Sequence, residues 1–176
     1  ADAYADAVLT LVAAAILTAL PIFTHMIHPA AGMLAAAFLA GACAWRMPQV
    51  AVVGVLFALL FQNLFVSMAA SAIDSREEFD LIRGYNFILL SMTWLVCCTR
   101  YALDWRHRLV ALDPFIKVSA VVFAVVGAYF LVGFALYGMT AVVYLRNIIT
   151  PMLLFHVCIL TMIRASVRPG PALTLA

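Results

Sequence analysis

The chain is 176 residues long, 68% hydrophobic and 10% charged, with a net charge of +2 and a mean hydropathy of +1.14. Soluble domains run to about 45–50% apolar and about 25% charged, and a chain of this length has too little interior to hide such an excess. A soluble globular domain is excluded, as is a nucleic-acid surface, which needs cations interleaved with exposed aromatics. The fold class that follows is an all-α, polytopic transmembrane bundle with membrane lipid as its constant partner.

Six spans are expected, in one domain covering residues 1–176. The first runs from Ala7 to Ile27 with Pro21 inside. Asp2 and Asp6 precede it and no Lys or Arg does, the wrong charge for a secretory signal, so it reads as a retained helix. The second, Ala30 to Trp45, is only about 24 Å long at 1.5 Å per residue. It requires local thinning of the bilayer or residues taken from its flanks, and a five-helix reading, with helices 1 and 2 as one re-entrant unit, also fits. Ala37 and Gly41 on helix 2 have the small-residue spacing that lets membrane helices approach. The third span runs from Val50 to Ala72.

The 73–84 loop carries Asp74, Glu77, Glu78 and Asp80 against Arg76 and Arg83. Ser75 and Glu78 have the spacing of a capping box, which predicts a short interfacial helix from Arg76 to Arg83 with Phe79, Leu81 and Ile82 toward lipid. The fourth span is Tyr85 to Leu103. The inner loop that follows, with Tyr101, Trp105, Arg106 and Arg108, reads as a headgroup-level anchor. The fifth span, Phe115 to Leu136, repeats Ala120, Ala124 and Ala128 at small-residue spacing. The sixth, Thr140 to Ile163, contains Pro151, and both internal prolines predict kinks. The tail Arg168-Pro-Gly-Pro-Ala reads as a linker or a cut edge.

Orientation follows from the cations. With six spans, one side holds Arg46, Arg100, Arg106, Arg108, Lys117, Arg164 and Arg168, and the other holds Arg76, Arg83 and Arg146. The richer side is expected to be cytoplasmic, with both termini on it.

A charge at the bilayer centre costs about 2.5–3.5 kcal/mol even on insertion scales, so polar residues in spans need partners or a wet cavity. Those residues are His25, His28, Gln62, Asn63, Asn86, Arg146, Asn147 and His156. All but His156 crowd the outer half of the bundle, counting Gln62 there. His25 and His28 read as polar residues ending a helix. His156 has no second histidine at its depth, so no haem pair is expected, and no metal set is found. Cys43, Cys97, Cys98 and Cys158 all fall in apolar segments and read as small buried hydrophobes. No cofactor is expected, catalytic residues are not identifiable, and no Ser/His/Asp order, HExxH, Walker loop or GxGxxG occurs.

Arg146 is the most informative position, because it lies inside a span. A guanidinium offers a planar fork of donors suited to phosphate. With Asn147, Asn63, Asn86 and Arg83 at similar depth, it suggests an outward-facing site for an anionic head group. The competing expectation is that Arg146 snorkels to the surface or pairs with Asp74 or Glu78.

The stretch Val143-Tyr-Leu-Arg146-Asn-Ile-Ile-Thr-Pro151-Met-Leu-Leu-Phe155, with Phe61-Gln-Asn-Leu-Phe65 and Tyr85-Asn-Phe87 before it, resembles the O-antigen ligase and polysaccharide polymerase family. The likeness covers helices 3 to 6. It implies the amino-terminal half of a glycosyl-transfer enzyme acting on polyprenyl-pyrophosphate-linked glycans at the outer face of the inner membrane, with Arg146 contacting the lipid pyrophosphate. The family's large periplasmic loop and catalytic histidine are not found, which implies a half that is inactive alone. A small-solute transporter or permease subunit and a non-catalytic assembly subunit are the alternatives from composition and polar-residue placement.

Overall fold

The computed structural model describes residues 2–69, 76–106 and 114–167. Among them there are six helices and no strand: α1 (Asp2–Ile27), α2 (Pro29–Arg46), α3 (Pro48–Ala69), α4 (Arg76–Arg106), α5 (Pro114–Tyr137) and α6 (Met139–Val167). Four contain stretches long and apolar enough to cross a membrane: Ala7–Ile27, Gly84–Arg106, Pro114–Tyr137 and Arg146–Ile163. The remaining two are the 18-residue α2, about 27 Å long, and α3, with a shorter described apolar stretch at Pro48–Phe61.

Prolines set the breaks. His28 precedes Pro29 and Met47 precedes Pro48, and the pyrrolidine ring bars the residue before it from helical backbone. His28 is accordingly extended, at φ −161 and ψ 130, and Met47 leaves the helix at φ −136 and ψ 73. Each proline then takes the first position of the next helix, where its missing N–H costs nothing. His28 acts as a cap, its Nδ1 accepting the Ala30 N–H at 3.1 Å, the role usually filled by an Asn or Asp oxygen. α1 and α2 are therefore separate helices joined at His28. The α5–α6 turn uses a different device. Gly138 has φ 57, and its N–H bonds the Phe134 carbonyl at 2.8 Å, a left-handed helix end that suits glycine.

Arg76–Arg83 is not a separate interfacial helix. It is the first part of the 31-residue α4. Gly84 is the weakest helix former at the junction, and one helical glycine costs only about 1 kcal/mol, too little to break a helix without a proline. Ser75, the expected cap, lies outside the described residues, as do Asp74, Arg108 and the tail from Arg168.

α2 and α4 form the centre. α1 packs on α2 and α3, α4 packs on α2, α3 and α6, and α5 lies outermost against α6. The buried edge of α2 is Gly32, Ala36, Ala40 and Ala44, a small-residue row at four-residue spacing that brings backbones close. Ala37 and Gly41, the pair expected there, lie on the neighbouring face and are only partly covered. The expected row on α5 behaves differently again, since Ala120, Ala124 and Ala128 are all exposed. The core between the helices includes Val55, Ala58, Leu89, Leu90, Leu153 and Val157.

Two contacts fix the direction of α2 against α4. The Tyr85 hydroxyl donates to the Pro29 carbonyl at 3.4 Å, and an Arg100 guanidinium nitrogen donates to the Ala44 carbonyl at 3.3 Å. Both pairs are separated by 56 positions in sequence, so the two helices run parallel and in register. α6 is parallel to them as well: Trp94 meets His156, and further along both helices Cys97 and Tyr101 share a cavity with Leu160 and Thr161.

Candidate functional site

Three polar clusters occur among the described residues, at successive levels of the bundle. The first joins α1, α2 and α4. His25 and Tyr85 are each 2% exposed, and His25 Nδ1 lies 2.5 Å from the Tyr85 hydroxyl. The Tyr85 hydroxyl donates to the Pro29 carbonyl, and with that hydrogen spent the same oxygen accepts from a protonated His25 Nδ1. Gly32 makes the space. A Cβ there would come within 2.9 Å of His25 Cβ and of the Pro21 carbonyl, and would also strike the Tyr85 hydroxyl. His25 is therefore an interhelical residue, where its neighbour His28 is the exposed helix end expected of both.

Asn86 belongs to this level. It is buried, and its Nδ2 donates to the Ala58 carbonyl on α3 at 3.1 Å. A buried amide in a membrane helix must find such a partner.

The second cluster joins α4, α5 and α6 around His156. Trp94 Nε1 donates to His156 Nδ1 at 3.0 Å, and Ser119 Oγ lies 3.3 Å from His156 Nε2. Phe123 stacks on the imidazole at 5.1 Å with 26° between planes. An indole nitrogen can only donate, so Nδ1 is the acceptor and the imidazole proton sits on Nε2, directed at Ser119. The serine hydrogen goes to the Ile116 carbonyl at 2.9 Å. A serine beside a histidine suggests a nucleophile and its base, but here the protons run the other way. The Trp94 bond fixes the tautomer that cannot accept from Ser119.

The third cluster lies at the opposite end from His25. Arg100 donates to the carbonyls of Ala44 and Trp45, and its guanidinium lies 5.2 Å from the Trp45 ring centroid. Helix ends leave carbonyls unsatisfied, and Arg100 of α4 caps α2 in this way. Next to it, Arg100, Tyr101, Asp104 and Thr161 line a cavity with Pro48, Cys97 and Leu160. A second cavity, between α1, α2, α3 and α4, is lined by Leu17, Ala40, Ala51, Gly54, Val55, Leu89 and Thr93. Each holds about 10 Å³, close to the room one water needs.

Arg146 and Asn147 stand apart from these clusters. Arg146 is two turns inside α6, partly buried, and its guanidinium makes no hydrogen bond or ion pair among the described residues; Asn147 is exposed. The Trp94–His156 bond sets the depth scale. Asn86 lies eight residues before Trp94 and Arg146 ten before His156, about 12 and 15 Å along parallel helices, so the two sit at nearly the same level. Neither cavity is lined by Arg146, Asn147 or Asn86. The side chains of Asn63, Arg83 and Gln62 lie outside the described residues.

The sequence marks Asn86 and His156 as polar residues requiring partners, whereas its reading of His25 as a helix-ending interfacial residue is corrected by the burial of that side chain between helices. Sequence reasoning missed Tyr85, Trp94 and Ser119 as partners, since each is unremarkable alone and meets its histidine across a long separation in the chain. It also missed Arg100 as a cap, counting it only as a charge on the inner side. No family model, curated protein or solved structure matches the chain.

Proposed function

We propose that this chain is the membrane-embedded amino-terminal half of a glycan polymerase or ligase of the inner membrane, and that Arg146 contacts the pyrophosphate of a polyprenyl-linked substrate. In this reading α1, α3 and α5 run outward, both termini are cytoplasmic and Arg146 lies in the outer half. The observation that carries it is the contrast between two arginines. Arg100 is spent on two carbonyls and a tryptophan face, whereas Arg146 lies partly buried in an apolar helix without a partner among the described residues. A guanidinium in that setting calls for an anion. Asn147 beside it, an exposed residue, supplies an amide for the same head group.

The test uses the chain in lipid nanodiscs and compares binding of polyprenyl pyrophosphate, polyprenyl monophosphate and uncharged polyprenol. The expected order is pyrophosphate, monophosphate, polyprenol, with Arg146→Ala losing about 10- to 100-fold for the pyrophosphate, the scale of one charge-assisted contact. Equal binding of the charged and uncharged lipids, or an unaffected Arg146→Ala, removes the proposal.

A second reading, a non-catalytic assembly subunit, draws on a separate observation. The buried histidines close on partners within the bundle, His25 on Tyr85 and His156 on Trp94 and Ser119. It predicts no selectivity among the three lipids. A transporter draws least support, because neither of the cavities described above is lined by Arg146, Asn86 or His156.

A further inference from the structure

We infer that His156 is a protonation-sensitive latch that holds α5 on the bundle while neutral and releases it when charged. α5 is the outermost helix. Its apolar surface faces outward almost throughout, and α6 is the helix it packs on. Ser119 and Phe123, one turn apart on α5, both close on the imidazole of His156. The ring is also the acceptor for Trp94 on α4, so a single side chain ties three helices.

Proton accounting makes the latch sensitive. The neutral ring has one acceptor and one donor, and both are used, Nδ1 by Trp94 and Nε2–H by Ser119. A second proton must enter at Nδ1, where the Trp94 N–H already points, and an imidazolium has no lone pair with which to keep that bond. The charged ring is then left facing a donor.

Among the described residues nothing near the ring compensates. Within one turn of the contact, the described titratable groups are Cys97 and Cys98 on α4, Lys117 on α5 and Cys158 on α6. The described part of α3 has no titratable residue. The nearest carboxylate along α4 is Asp104, ten residues beyond Trp94, about 15 Å along the helix. Lys117 adds a positive charge. The docked state therefore binds the neutral ring, and the state in which His156 has left Trp94 and met water or headgroups binds the proton. By linkage, docking weakens as pH falls.

Trp94 reports the event, because undocking α5 exposes it to lipid. The chain has three tryptophans, so W45F/W105F leaves Trp94 as the single emitter in nanodiscs containing brominated lipid, whose bromines quench tryptophan on contact. Lowering the pH from about 8 to about 4.5, which spans ordinary histidine titration, is expected to raise quenching along a one-proton curve, with the docked-to-undocked ratio falling about tenfold per pH unit in the titrating range. His156→Gln keeps an acceptor for Trp94 and a donor for Ser119 but cannot titrate, and is expected to stay docked with flat quenching. Ser119→Ala loses the polar tie alone and is expected to be more quenched at pH near 8 than the parent. Flat quenching of the parent, a Gln variant that titrates like it, or Ser119→Ala indistinguishable from it at every pH overturns the latch.

Discussion

The Tyr85 hydroxyl occupies the space beside Gly32 that any larger residue would need. A Cβ at Gly32 would strike that hydroxyl and come within 2.9 Å of His25 Cβ and the Pro21 carbonyl, so the α1–α2–α4 junction closes only because position 32 has no side chain. The central packing and the His25–Tyr85 pair thus depend on one missing methyl group.

Gly32→Ala is accordingly expected to destabilise the bundle by about 1–3 kcal/mol, the usual cost of overpacking. Tyr85→Phe removes the struck atom but takes the hydroxyl from His25 Nδ1 and the Pro29 carbonyl, at about 1–3 kcal/mol for lost buried hydrogen bonds. The double variant should cost less than the sum of the two, because the clash and the hydrogen bond share one oxygen. Thermal unfolding in mixed micelles, followed by circular dichroism, measures all three. Additive costs would place the obstruction in the backbone of α1 instead.

Thr93 predicts a change in the opposite direction. It is fully buried, and its Oγ1 has no hydrogen-bond partner among the described residues. Burying a hydroxyl without a partner costs about 1–3 kcal/mol on protein scales, and valine has nearly the same shape. Thr93→Val is expected to raise the unfolding midpoint, by about 1 kcal/mol in stability. A clear loss would mean that the hydroxyl holds a water in the adjoining cavity.

Arg100 is expected to resist even its conservative replacement. Lysine keeps the charge but lacks the planar fork that reaches two carbonyls and stacks on indole. Arg100→Lys should cost about 1–2 kcal/mol and shift Trp45 emission, since the ring loses the planar guanidinium stacked on it. Unchanged stability and emission in a Trp45-only background would show that the cap contributes little.

Local chemistry made the helices readable, and long-range chemistry concealed the partnerships. Uninterrupted apolar runs and the two X-Pro junctions are properties of neighbours in sequence, so the ends of α2 came within one residue of expectation and α5 within one at each end. The start of α4 was misplaced because charge marks the edge of hydrocarbon, while a helix continues until its backbone is barred from doing so. Gly84 was no bar. Buried polar residues could be identified because solvation penalties belong to the residue itself. The Ala58 carbonyl that satisfies Asn86 carries no signature, since every residue has one. The meeting of Trp94 with His156 depends on how α4 and α6 face each other, which no periodicity within either helix records.

The matched separations at Pro29–Tyr85 and Ala44–Arg100 have a mechanical consequence. α2 and α4 are bolted at both ends with no slip between them. A piston stroke or screw motion of either helix along its axis would have to break the bolts at Tyr85 and Arg100 together. The pair therefore behaves as a keel, and any working motion of this bundle must be made by the helices hung on its sides.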